Sequence, residues 1–127
     1  MRTFLTAVLI LTLGLVAAVA EPSGSNGTLR HVVCIKFKTG TDAKEIQKVE
    51  NAFRNLKQKI PGIVSLEWGT NVSPEKHDKG FTHCFILGFK SEKARDAYLV
   101  HPEHKKFGKL LGPVMDDVFV IDFWVKE

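Results

Sequence analysis

Five histidines and one tyrosine carry most of the proton-transfer chemistry available to this chain at neutral pH. Imidazole titrates near neutrality, and burial or a charged neighbour moves it readily across that range. A histidine in an apolar pocket can therefore take a proton from an acidic C–H, and a nearby phenol can orient it or hydrogen-bond the enolate that develops. The spacing singles out His31, His83, Tyr98 and His104 as candidates. His101 precedes a proline and reads as a turn-former, and His77 lies in a charged, solvated loop. His101 and His104 are three residues apart, but no third ligand of suitable spacing accompanies them, so no metal site is assigned.

Alternating apolar residues place these groups. His31 to Lys38 reads as a β-strand, with His31, Val33, Ile35 and Phe37 on one face and Val32, Cys34 and Lys36 on the other. Asp42, with Glu45 three residues on, opens a helix in the manner of a capping box. Ile46, Val49, Phe53, Leu56 and Ile60 form its apolar stripe, and Pro61-Gly62 ends it. Ile63 to Gly69 is a second strand, with Val64, Leu66 and Trp68 on one face. Asn71 to Gly80 is a polar loop. Phe81 to Lys90 is a third strand, with Phe81, His83, Phe85, Leu87 and Phe89 on one side and Thr82, Cys84 and Ile86 on the other. Ser91 caps a helix to about Val100, Pro102 opens another turn with Phe107 and Leu111 inward, and Asp117 to Val125 is the fourth strand.

The order β-α-β-β-α-β predicts an α+β ferredoxin-like fold, a four-stranded antiparallel sheet with its helices on one face. The first and third strands are then central neighbours. His31 and His83 share the helix-covered side and can approach each other, with Tyr98 above them on the second helix. Phenylalanines 53 and 85 join them as candidate lining of an apolar pocket between sheet and helices. The opposite face carries Val32, Cys34, Ile86, Val118, Val120 and Trp124, an apolar surface that calls for a partner. The simplest partner is a second copy, giving a homodimer whose two sheets close into a barrel.

The ends and the charge bound the rest. Arg2, the uncharged run Phe4 to Val19 and the small-residue site Ala18-Val19-Ala20 read as a signal peptide, residues 1–20, cleaved after Ala20. The protein is expected to be secreted or periplasmic and free of the membrane after cleavage. Residues 21–29 read as a flexible linker, and the domain occupies residues 30–127. Asn26 and Asn71 stand in glycosylation sequons. Cleavage leaves 107 residues with a net charge of +3 and no basic stripe, which excludes a nucleic-acid footprint. Cys34 and Cys84 lie in apolar strand patterns without metal-ligand spacing. They read as two small buried hydrophobes, or as a disulfide if the compartment is oxidising.

The motifs His31-Val-Val-x-Ile-Lys-Phe-Lys, Ile60-Pro61-Gly62, Trp68-Gly69, Gly80-Phe81-Thr82-His83 and Tyr98-x-x-His101-Pro102-x-His104-x-x-Phe107 resemble the stress-responsive dimeric α/β-barrel (Dabb) family, from about His31 to Phe123. The resemblance implies a dimeric barrel that works without a cofactor. One plant member of the family cyclises a linear polyketide thioester, and its site maps His83 here as general base and Tyr98 as its partner. His31 and His104 fall on other substrate-contacting positions, and Phe53 stands where that cyclase has a pocket tyrosine. Some relatives hold a cation on backbone carbonyls, here near Lys57, Ile60 and Ile63. The expected function is binding of a small, largely apolar molecule. A cofactor-independent lyase or cyclase acting on a β-keto substrate, and a cofactor-independent monooxygenase, are the alternatives.

Overall fold

Asp42 starts the first helix as expected: its carboxylate accepts the Lys44 amide at 3.0 Å. Glu45 does not complete a capping box and pairs with Lys48 at 2.8 Å. The computed structural model describes residues 28–126. Its elements are β1 (Leu29–Phe37), α1 (Ala43–Lys59), β2 (Ser65–Thr70), β3 (His83–Phe89), α2 (Glu92–Leu99), α3 (Pro102–Leu111), a 3-10 turn (Gly112–Val114) and β4 (Met115–Trp124). The signal segment 1–20 and residues 21–27 of the expected linker lie outside the described residues. Leu29, assigned to that linker, is buried in β1 opposite Phe89 and Trp124.

The sheet runs β2-β3-β1-β4 with every neighbouring pair antiparallel, the ferredoxin-like arrangement. β1 and β3 are central. Their buried residues, Val33, Ile35, Phe85, Leu87 and Phe89, meet Val49, Phe53 and Leu56 of α1 in one core. The turn opened by Pro102 extends into the full helix α3, capped by the His101 imidazole, which accepts the Glu103 amide at 3.1 Å. Phe107 and Leu111 point into the core as expected. In β3, Gly88 packs closely on its neighbours: a Cβ there would stand 2.2 Å from the Ser65 Oγ, which would have to move.

One expectation about the open face is corrected. Val118 lies opposite Ile35, Val120 opposite Val33 and Trp124 opposite Leu29, so these three belong to the helix side. The residues of β4 on the open side are Phe119, Ile121 and Phe123, opposite Cys34, Val32 and Arg30. β4 is apolar on both faces, so its own alternation does not say which parity faces the helices. The pairing with β1, shifted at Lys36/Phe37, decides it. The open face remains apolar, with Phe119, Ile121 and Phe123 each 45–50% exposed.

Candidate functional site

Tyr98 sits at the centre of a cluster drawn from four elements. It is the one buried residue of α2, with 1% of it exposed. Its ring packs edge-on to His31 of β1, with centroids 5.6 Å apart, and against His104 of α3, at 4.4 Å. Phe89 closes the third side at 5.3 Å. Burial pushes the phenol far above its usual value, so it stays protonated and has a proton to donate.

The two histidines of this cluster are held differently. His104 Nδ1 lies 3.1 Å from the Leu99 carbonyl oxygen, which can only accept, so Nδ1 carries the proton and Nε2 keeps a lone pair. Desolvation lowers the His104 pKa below the ordinary 6.5, and charge on His31 adds to that, against the opposing pull of the Leu99 carbonyl. His31 is 5% exposed and donates from Nδ1 to the Asp122 carboxylate at 2.6 Å. Asp122 also accepts from the Arg95 guanidinium, which bonds Asp96 as well. A neutral imidazole with a free lone pair, a protonated phenol and a carboxylate-held imidazole therefore meet within one ring-contact distance.

Burial alone would raise the Asp122 carboxyl, but the hydrogen bonds from Arg95 and His31, with their charge, hold it below its ordinary 3.8. A carboxyl lowered in the folded state contributes stability that is present above the unfolded value and lost as pH falls through the folded one. Asp122→Asn should therefore unfold at lower urea than the native chain at pH 6, by about 1.5–3 kcal/mol for each charged hydrogen bond lost. The gap should close as both proteins are titrated below pH 3.8. A gap unchanged across that range would remove the carboxylate from the account.

His83 forms a separate site. Its Nε2 bonds Glu50 of α1 at 2.9 Å and its Nδ1 bonds the Thr82 hydroxyl at 2.7 Å, with Phe37 edge-on at 5.0 Å and Trp68 stacked at 6.2 Å. His31 and His83 do share the helix side, as parity requires. They do not approach each other. His31 pairs with Leu87 and His83 with Ile35, four positions apart along β3, which is about 13 Å of strand. Tyr98 accordingly packs on His31 and His104, and the expected pairing of His83 with Tyr98 is not formed.

The aromatic lining is also relocated. Phe53 and Phe85 stack at 4.0 Å and are 1% and 0% exposed, so they fill the space between α1 and the sheet as core. A cavity of about 610 Å³ lies instead at the β2–β3 end, reaching onto the open sheet face. Cys34, Trp68, Phe81, His83, Cys84 and Phe119 are among its walls. Near the end of α1, where the resemblance implies a cation, the Ile60 carbonyl accepts the Ile63 amide at 3.2 Å. Among the described residues no group of three or more His, Cys, Asp or Glu side chains is placed to hold a metal.

Sequence reasoning did not single out Asp122, Arg95, Glu50 or Thr82. Asp122 carried a signal, being a lone acid inside the apolar run from Val118 to Val125. Glu50 and Arg95 look like ordinary helix-surface charges and had none.

The model of the stress-responsive A/B barrel domain matches residues 29–125. The chain belongs to this family. A stress-response A/B barrel domain-containing protein, HS1, from Arabidopsis thaliana is 32% identical over 78% of this chain and 91% of its own length. Olivetolic acid cyclase from Cannabis sativa is 24% identical over 75% of this chain and 94% of its own. Among solved structures, a hydroxynitrile lyase from Passiflora edulis superimposes with a TM-score of 0.74 at 25% identity, covering 79% of this chain and 94% of that one. A dimeric protein of ferredoxin-like fold from Bacteroides fragilis gives 0.64 at 25% identity, with 78% and 97% coverage.

Proposed function

We propose that this A/B barrel protein binds a small, largely apolar carbonyl compound against the Tyr98–His104–His31 cluster and moves a proton there, as a lyase or cyclase that needs no cofactor. One observation carries the reading: His104 is a neutral imidazole whose Nδ1 is tied to the Leu99 carbonyl and whose Nε2 lone pair is free, beside a buried phenol. The base takes a proton from the substrate's acidic C–H or O–H. Tyr98 donates to the oxygen on which charge develops, and His31, braced by Asp122, supplies a second polar contact. A lyase and a cyclase among the relatives support this class of chemistry.

The test is turnover of an aromatic hydroxynitrile and of a β-keto thioester by the native chain, His104→Ala, Tyr98→Phe and His83→Gln. Activity that falls in the first two variants and survives in His83→Gln supports the assignment. Activity that survives in His104→Ala and falls in His83→Gln returns the base to His83. Saturable binding without turnover in any variant would leave a binding protein.

The same proposal includes a homodimer through the open face and export directed by residues 1–20. Phe119, Ile121 and Phe123 are the exposed apolar residues of β4 on the open face, and the Bacteroides fragilis relative is a dimer. Ile121→Asp places an unpaired charge on that face and should convert a dimer to a monomer in light scattering at micromolar concentration. A dimer that survives the substitution, or a native monomer, would defeat this mode of assembly. Intact-mass analysis of the protein recovered from the medium or periplasm, starting at Glu21, tests the export.

A further inference from the structure

Only one ring nitrogen of His31 is engaged. Its Nδ1 donates to Asp122 Oδ1 at 2.6 Å, across the β1–β4 pair in which the two residues stand opposite each other. Among the described residues nothing bonds its Nε2, although the residue is 5% exposed. Every fully enclosed side-chain nitrogen and oxygen among those residues has a partner, so Nε2 reaches open space where a ligand can meet it. Whether Nε2 meets that ligand as acceptor or as donor depends on how many protons the ring carries.

Arg95 bears on that number. It stands on α2 three residues before Tyr98, on the same side of the helix. Its guanidinium holds Asp122 Oδ2, the oxygen that His31 does not use. Its other bond, from Nε to Asp96 at 2.8 Å, goes to a carboxylate that is 65% exposed, whose charge water screens. The Asp122 and Arg95 side chains are only 21% and 19% exposed, so their opposite charges cancel close to the ring in poorly solvated surroundings. A lone carboxylate beside an imidazole favours the doubly protonated ring, and one already neutralised by a guanidinium does so far less. The other rings against His31 do not draw a second proton onto it. Phe89 and Tyr98 carry no charge, and charges on His31 and His104 oppose each other.

We propose that Arg95 is a positioning residue that keeps a proton off His31 Nε2, so that the Tyr98 cluster selects ligands presenting a hydroxyl there over ligands presenting a carboxylate. The inference rests on the reading of that cluster as the binding site and narrows its ligands to neutral compounds with an O–H beside the reacting carbon, such as a hydroxynitrile or the enol of a β-keto compound. That O–H donates to the Nε2 lone pair, whereas a carboxylate there meets a lone pair with its own. Removing the guanidinium charge leaves Asp122 uncompensated. The ring then takes a second proton, and Nε2 becomes a charged donor that prefers the carboxylate.

The experiment titrates the full chain with benzyl alcohol and with benzoate at neutral pH by NMR, and reads the two His31 ring nitrogens in long-range proton–nitrogen spectra. The native chain should show a proton on Nδ1 and none on Nε2, and should bind the alcohol in preference to the anion. Arg95→Gln keeps a donor for Asp122 but removes the charge. It should show both nitrogens protonated and move the ratio of the two affinities toward benzoate by about 10–100-fold, the worth of one charged hydrogen bond. Arg95→Lys restores the charge and should restore the native preference. The double variant Arg95→Gln/Asp122→Asn has lost both charges, so it too should return to the alcohol, a recovery that a merely structural role for Arg95 does not produce. Circular dichroism checks that each variant is folded. If Arg95→Gln leaves the nitrogens and the preference as in the native chain, or the double variant stays with benzoate, the role of Arg95 falls and the binding site stands. If the native chain binds neither probe, the reading of the cluster as a site falls and takes this proposal with it.

Discussion

His104→Ala should lower kcat/KM toward the hydroxynitrile or β-keto thioester that the native chain turns over by about 10²–10⁴-fold, the usual contribution of a positioned general base. The fold should survive, because His104 is half-buried at the start of α3 and the core beneath it is made by Phe107 and Leu111. A circular dichroism spectrum and a urea midpoint close to the native ones separate lost chemistry from lost structure. The native pH profile gives a second readout. The base must be neutral to act, and burial depresses its pKa from 6.5. The rate should therefore stay level as pH falls through 6.5 and drop only below it, as the lowered folded value is crossed. A limb that begins above pH 6.5 would point to another group. Tyr98→Phe keeps the buried ring and removes the donor, so it should lower the rate with little change in stability.

The second large effect is on stability. Phe53→Ala should cost about 3–5 kcal/mol, the range for deleting a fully buried aromatic ring. Phe53 is 1% exposed, stacked on Phe85 at 4.0 Å and packed against Phe107 at 4.6 Å, so its removal opens a void bounded by α1, α3 and the sheet. Native domains hold only about 5–15 kcal/mol in total, so the variant should sit near the edge of folding in a urea titration. Phe53→Leu should retain much of what alanine loses. A loss under about 1 kcal/mol on Phe53→Ala would mean that the ring lines accessible space after all. The position also bears on substrate: a tyrosine there would place a hydroxyl beside Phe85 and Phe107, at a cost of about 1–3 kcal/mol if it found no partner.

Much of the architecture was legible because its signals are local. The stripe Val49, Phe53, Leu56 and Ile60 states a helix with one buried side, and Pro61-Gly62 states its end. Period-two alternation in β1 and β3 states which residues share a face, and it put His31 and His83 together on the helix side. Alternation says nothing about how far along a shared face two residues stand. That depends on register, which arises when two strands separated by a long stretch of chain are packed together.

By itself, the sequence determined the element order, the membership of the A/B barrel family and the set of residues able to do chemistry. Local propensity and hydrophobic periodicity are written in short windows and need no partner to be read. Only the tertiary structure decided which of those residues meet. It seated Tyr98 between His31 and His104, gave His83 to Glu50 and Thr82, brought Asp122 and Arg95 to His31, and set Cys34 against Cys84. It also turned Val118 and Val120 to the helix side and Phe119 and Ile121 to the open face. Each of those outcomes follows from strand register or from a helix docking on the sheet, which are set by contacts between segments remote in the chain.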